Sequence, residues 1–262
     1  MKELITCTAS LTIGLSLGLI GAGGSILTIP VFVYILKVDP LASSIYSMFV
    51  VGTSSAAGGI KSMMSKLVDF KVTLVFGIPS VFGVLIARTW IFPYIPDELL
   101  MLGGFVLSKK AGFMLCISAL MFIAGYRMLK SPRQSGSDLE EEIRTAFVLI
   151  QGLLVGLITG LLGMGGGFLI VPALYFWAKL PMKTAVGTAL LIIAINSLTS
   201  FMISVPSAVV DWFLLFKFSA GSVLGILIGV KLAKNVSGDS LKKIFGWFVL
   251  IISFYVVLKQ FT

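Results

Sequence analysis

The sequence predicts an all-α, polytopic membrane protein of two inverted repeats, each a glycine-broken re-entrant or discontinuous helix with about three spanning helices. Three observations carry this expectation: too little charge for a soluble surface, two apolar segments of awkward length interrupted by glycines, and an internal repeat. Of 262 residues, 58% are apolar and 12% charged, about half of the ~25% charged complement of a soluble domain. Mean hydropathy is +1.08. Twenty basic and eleven acidic residues cannot coat a 28.0 kDa globule. A soluble enzyme or cytosolic binding module is thereby excluded.

The net charge of +9 and pI near 9.6 would suggest nucleic acid in a soluble protein. Beside membrane spans, basic residues orient the chain instead, and the aromatics lie inside apolar runs, so no nucleic-acid partner is expected. Cys7 and Cys116 also sit in apolar runs and read as buried packing residues. The chain has no histidine, which removes the commonest metal ligand and proton shuttle. No metal and no cofactor is expected.

Charge-free stretches run 4–36, 40–60, 72–87, 111–126, 145–178, 184–210, 218–230 and 244–258. Most read as single spans with ragged ends, since a spanning helix needs about 20 apolar residues. Residues 4–36 and 145–178 do not fit. As one straight helix each would measure roughly 50 Å against a hydrocarbon core of about 30 Å. Two crossings would need ~40 residues and a turn. Gly21-Ala22-Gly23-Gly24-Ser25 interrupts the first and Gly163-Met164-Gly165-Gly166-Gly167 the second, so each is expected to break at depth or turn back as a hairpin. Lys2 before an apolar run could mark a signal peptide, but the same glycine motif recurs mid-chain, so residues 1–30 are expected to stay in the mature fold. The apolar stretch within residues 99–110, ending in Lys109-Lys110, is assigned to no span.

A shift of 142 residues superimposes the halves. Residues 18–30 fall on residues 160–172 with seven of thirteen identical, ending in Pro30 and Pro172, and Ser80–Ile86 falls on Ser222–Ile228 with five of seven identical. Val68-Asp69-Phe70 pairs with Val210-Asp211-Trp212. Apolar bias alone gives about one match in ten, so the chain is read as a duplication: repeat 1 at residues 1–130, a polar linker at 131–143, and repeat 2 at 144–262. The basic residues then decide between crossings and hairpins. Single crossings split them almost evenly. Hairpins split them 13 to 7, the richer side holding Lys61, Lys66, Lys71, Arg127, Lys130, Arg133, Arg144, Lys179, Lys183, Lys231, Lys234, Lys242 and Lys243. That asymmetry favours hairpins, inverted repeats, a cytoplasmic linker and both termini outside.

Transporters built from such repeats bind their substrate between the halves near the midplane. A glycine-rich break before a resumed helix presents free N–H groups at the positive end of a helix dipole, and glycine lets an oxyanion approach the backbone. Gly21, Ala22, Gly23, Gly24 and Ser25 with Gly163, Met164, Gly165, Gly166 and Gly167 are therefore the candidate anion-binding residues. The following helices add Thr53, Ser54 and Ser55 in one half, Thr188 and Asn196 in the other, with Ser55 aligned to Asn196 across a one-residue gap. Asp69 and Asp211 are expected to cap helices. No Asp or Glu lies deep in a span, which argues against a carboxylate proton relay. No lysine or arginine is expected to be deeply buried either, so the site must be built from amides and hydroxyls. Catalysis lacks candidate groups.

The paired Gly-Leu-x-Gly-x-Gly-Gly…Pro segments, each followed by a helix and a Val-Asp-aromatic step, resemble the sulfite exporter TauE/SafE family, part of the toluene-sulfonate uptake permease group. The resemblance covers nearly the whole chain. Its motif positions are Gly21, Gly23, Gly24 and Pro30 with Gly163, Gly165, Gly166 and Pro172. It implies an inner (plasma) membrane secondary transporter of small sulfur-containing anions, such as sulfite or sulfoacetate. The expected mechanism is alternating access around a midplane anion held by the two half-helix N-termini. A passive anion channel on the same scaffold is the alternative. The expected partners are the small sulfur oxyanion, the lipid bilayer and a second copy in a homodimer.

Overall fold

The computed structural model describes residues 2–21, 23–91, 94, 98–102, 105–130, 141–162, 167–207 and 210–261. Helix α1 (Lys2–Ile20) ends where Gly21 turns left-handed at φ 78° and donates its N–H to the Leu17 carbonyl at 2.7 Å. Helix α2 (Gly23–Pro30) then begins and runs into a π-helical turn at Val31–Ile35, as suits a proline that removes a ladder donor. A Cβ on Gly24 would lie 2.6 Å from the Ile13 carbonyl oxygen and 3.0 Å from Leu17 Cβ. In a continuing helix, residue 24 would sit about 16 Å beyond Ile13. The chain therefore doubles back at Gly21, as the hairpin expectation requires.

Helices α3 (Pro40–Met64) and α4 (Phe70–Ile86) follow. Asp69 caps α4, its carboxylate accepting from the Val72 N–H at 2.9 Å. A second π-helical turn, Ala87–Ile91, closes α4. The chain then makes a short antiparallel hairpin, β1 (Glu98–Leu102) with β2 (Phe105–Ser108), the one departure from helix among the described residues and the fate of the stretch left without a span. Helices α5 (Lys109–Lys130), α6 (Glu141–Leu162), α7 (Gly167–Phe176), α8 (Met182–Ser204), α9 (Trp212–Asn235) and α10 (Gly238–Phe261) complete the chain. Asp211 caps α9 as Asp69 caps α4, accepting from Leu214 N–H at 3.1 Å. The two half-helices also end alike: Lys37 and Lys179, 142 residues apart, are both left-handed, at φ 57° and 55°. Three helical segments, Phe70–Ile91, Met182–Ser204 and Trp212–Asn235, are long and apolar enough to cross a membrane.

Glycine-lined seams fix which helices meet. Gly14 abuts the Ser222 carbonyl and Gly18 the Ile226 carbonyl; from the other side Gly225 meets Leu11 and Gly229 meets Leu15. Together with the 2.7 Å Glu3–Lys217 ion pair, these contacts run α1 and α9 side by side in the same direction. The identical seam joins α6 to α4, with Gly152 on Phe76, Gly156 on Ser80 and Gly160 on Val84 and Ala87. Under the 142-residue shift, Gly14–Ser222 becomes Gly156–Ser80. Each seam thus pairs an early helix of one half with a late helix of the other.

Helices α3 and α8 cross in opposite directions, with Gly52 against Leu198, Gly59 against Leu191 and Gly187 against Ser62 and Leu67. Helices α5 and α10 do the same. Gly125 meets Gly246, and Ser118 and Ser253 exchange hydroxyl-to-carbonyl bonds of 2.9 and 2.8 Å. Following these directions, α1 starts and α10 finishes at one end of the bundle, the terminus end. The end of α5 and start of α6, which flank residues 131–140, lie at the other, the linker end. Every described residue of the thirteen-member basic group sits at the linker end. One packing expectation is corrected: Cys7 is exposed, since α1 buries its opposite face of Thr6, Ser10, Ile13 and Leu17. The side chain of Cys116 lies outside the described residues.

The seams leave no volume for a side chain. Gly156→Leu and Gly14→Leu should each cost more than the ~1–3 kcal/mol of ordinary overpacking, because the obstacle is backbone. Size-exclusion profiles in detergent should show loss of the monodisperse peak for both, whereas Gly238→Ala, with only Met182 Cβ at 4.0 Å, should leave it intact.

Candidate functional site

The first glycine break lies in the interior. Gly21 is buried, and a Cβ there would fall 2.8 Å from Val186 of α8 and 3.3 Å from Val171 of α7. Val171 is four residues past Gly167, the first residue of α7, about 6 Å of helix rise. The two glycine-started half-helices therefore meet, the turn preceding α2 resting on α7 one turn past its start. The first amides of a helix have no acceptor within it; α2 runs from the linker end and α7 from the terminus end, so their starts offer donors toward opposite ends of the bundle. Gly24 is buried, and Thr28 turns its hydroxyl back onto the Gly24 carbonyl at 2.7 Å. Ala22, Gly163, Met164, Gly165 and Gly166 lie outside the described residues, as does the side chain of Ser25. Beside the break, a small recess of about 20 Å³ at the linker end is lined in part by Gly18, Ser62, Lys183, Val186 and Lys234. Lys183 holds the end of α9 there, donating to the Lys234 carbonyl at 2.7 Å.

A second polar group occupies the middle of the α3–α8 crossing. Ser54 donates to the Ser222 hydroxyl at 2.8 Å, and the Asn196 amide donates to the Ser80 hydroxyl at 2.5 Å. These are one interaction seen twice: 54 and 196 differ by 142, as do 80 and 222. The register of α3 against α8 sets Ser54 opposite Asn196. Ser55 and Ser197 form another such pair, both fully buried with hydroxyls that have no partner, and the Asn196 carbonyl oxygen has none either. Further out, the Asp69 N–H donates to the Thr188 hydroxyl at 3.0 Å and the Asp211 N–H to the Tyr46 hydroxyl at 2.5 Å.

These contacts correct the expected alignment. No gap intervenes, and the counterpart of Asn196 is Ser54, not Ser55; Ser55 corresponds to Ser197. They also sort the candidate hydroxyls. Thr53 bonds back to the Phe49 carbonyl at 2.8 Å, as threonines in apolar helices commonly do. Thr188 serves the α4 cap. Ser55 keeps a free hydroxyl and Asn196 a free acceptor, beside donors already spent on neighbouring helices. Along α8, Asn196 lies ten residues beyond Val186, about 15 Å. Gly21 and Asn196 thus mark two levels of the interior rather than one shell.

The expectation of no deeply buried cation is overturned by Lys242, which is 8% exposed with its Nζ 5.4 Å from the centroid of the Tyr175 ring. Arg88 is half-buried: its Nη1 donates to the Ser204 hydroxyl at 2.7 Å, and its Nε is buried without a partner. The signal was present but discounted: Arg88 ends the charge-free stretch 72–87, and the π-helical turn carries it inward. Among the described residues, no group of three or more Cys, Asp or Glu could hold a metal ion.

A family model described as "Sulfite exporter TauE/SafE" matches residues 6–256. A probable membrane transporter protein of Xylella fastidiosa strain 9a5c is 27% identical over 262 residues, covering 99% of this chain and 96% of its own. Another, from Bacillus subtilis strain 168, is 26% identical over 270 residues, with 96% of each chain covered. No solved structure matches the chain.

At Gly21 an alanine would have to adopt a left-handed conformation, costing roughly 1–2 kcal/mol, and would press on Val186. Gly21→Ala should lower the midpoint of thermal unfolding in detergent, and Val186→Ala should restore part of the loss. Asn196→Leu should strand the Ser80 hydroxyl and destabilise by about 1–3 kcal/mol, more than Ser54→Ala, measured in the same way.

Proposed function

Because the chain belongs to the sulfite exporter TauE/SafE family of membrane transporters, we propose that it is a secondary carrier of small sulfur-containing anions such as sulfite or sulfoacetate. The single observation that carries the reading is the meeting of the two half-helices in the interior, with Gly21 seated on α7 one turn past its start. Each helix N-terminus favours negative charge through its dipole and unpaired amides, one on either access route. Glycines Gly21, Gly23, Gly24 and Gly167 let an oxyanion reach that backbone, and the rest of the second motif is assigned the same part by symmetry. Sulfonate and sulfite oxygens are acceptors only, which suits a site made of donors.

In this reading the halves are inverted repeats. The opposed directions of α3 and α8, which correspond under the 142-residue shift, support that, as do the opposed α5 and α10. Thirteen basic residues at the linker end favour a cytoplasmic linker and external termini in the inner membrane. Alternating access is favoured over a continuous pore because the centre is closed: Ser54, Ser55 and Ser197 are 0% exposed and Asn196 1%. The Ser54–Ser222 and Asn196–Ser80 bonds seal the level between the two access routes, and the free Ser55 hydroxyl and Asn196 oxygen are positioned to re-pair as the halves move.

Purified protein in proteoliposomes decides the matter. Labelled sulfoacetate should accumulate by counterflow, stimulated by unlabelled sulfoacetate inside, whereas a channel gives no such stimulation. Gly23→Val should abolish the flux while the protein still inserts. Undiminished flux in that variant removes the glycine motif from the mechanism.

A further inference from the structure

Arg88 stands apart from the amide-built site and is unaccounted for by the fold. It lies in the π-helical turn Ala87–Ile91, where Ala87 is 0% exposed and Trp90 is 74% exposed. An arginine that merely anchors a helix end extends its guanidinium outward to the headgroups. Arg88 instead reaches sideways to the end of α8 and spends Nη1 on Ser204 at 2.7 Å. That leaves the side edge of the guanidinium, Nε with Nη2, with Nε buried and unbonded. Among the described residues no carboxylate pairs with it. A cation drawn into a membrane protein with its donors unspent is costly, and such residues mark substrate or ion paths.

Its position adds the second argument. Under the 142-residue shift Arg88 corresponds to Val230 and Ser204 to Ser62, and Val230 and Ser62 line the recess at the linker end together. The equivalent position therefore carries a valine at the linker end and an arginine at the terminus end, so packing does not require the charge.

We propose that Arg88 is the anion-binding residue of the terminus-end access route, its Nε–Nη2 edge taking two oxygens of a sulfonate or carboxylate while Ser204 holds the other terminal nitrogen. The edge matches the spacing of paired oxyanion oxygens, which lysine cannot reproduce. This inference rests on the anion-carrier reading above and gives it a sidedness: one route is keyed by a guanidinium fork, the other by the ammonium groups of Lys183 and Lys234 at the recess.

Two measurements on the full-length protein test it, with sulfoacetate as probe. In proteoliposomes, Arg88→Gln should raise the sulfoacetate KM by at least about tenfold, the loss expected for a charged hydrogen-bond donor, and Arg88→Lys should recover only part of it. In the wild type, sulfoacetate should slow phenylglyoxal modification of Arg88, followed by mass spectrometry, while equal chloride should not; this arm stands even if the variants fail to fold. Wild-type transport with an unchanged KM in Arg88→Gln, or no protection of Arg88, overturns this proposal and leaves the carrier reading intact. Wild-type protein that neither transports nor is protected by sulfoacetate overturns both.

Discussion

Inside a bilayer, lipid tails solvate apolar side chains as well as other side chains do, so helices associate through close packing and hydrogen bonds rather than through exclusion of water. The backbone-to-backbone seams between α1 and α9, and between α4 and α6, answer that constraint. At Gly14, Gly156, Gly225 and Gly229 nothing larger than hydrogen fits between the partners. The large exposed side chains of α4 and α9, such as Phe82 and Phe213, are left to face lipid. Everything nearer the centre inherits its position from these seams. They fix the heights of Ser80 and Ser222, which in turn receive Asn196 and Ser54.

The functional geometry follows from the same economy. A helix can be interrupted inside a membrane only where protein or ligand satisfies the freed backbone. Gly21 meets that condition by turning against Val171 and Val186, which brings α2 and α7 together. Hydroxyls and one amide bond across the next level, and the Arg88 guanidinium stands beyond it. Neutral donors thus hold the centre of the bundle, with cations toward its two ends: Lys183 and Lys234 beside the first break, Arg88 at the other.

Much of this was legible in the residues. The first glycine break and the Asp69 and Asp211 caps each express a local rule, and each corresponds to an observed element. What escaped depended on rotation and register. The π-helical turn after Ile86 swings Arg88 inward, and nothing in a charge-free count reveals that. A one-residue slip between Ser54 and Ser55 is invisible where serines are adjacent, and only the bonds to Ser222 and Ser80 resolve it. Cys7 looked like a core residue because in an apolar helix the lipid-facing and protein-facing sides have the same composition. The β1–β2 hairpin comes after Pro93 and Pro96 in the sequence, in a stretch whose apolarity resembles a span.

The swapped seams also set a timetable for biosynthesis. Helix α1 leaves the ribosome first, yet the surface it needs, on α9, is encoded about two hundred residues later. At roughly 5–20 residues per second, the glycine face of α1 waits on the order of ten to forty seconds for its partner. Helix α4 waits far less, because α6 follows soon after the linker. The second pairing can therefore form while the first is still open. The nested pairings thus close from the middle outward: α4 with α6, then α3 with α8, and α1 with α9 after both.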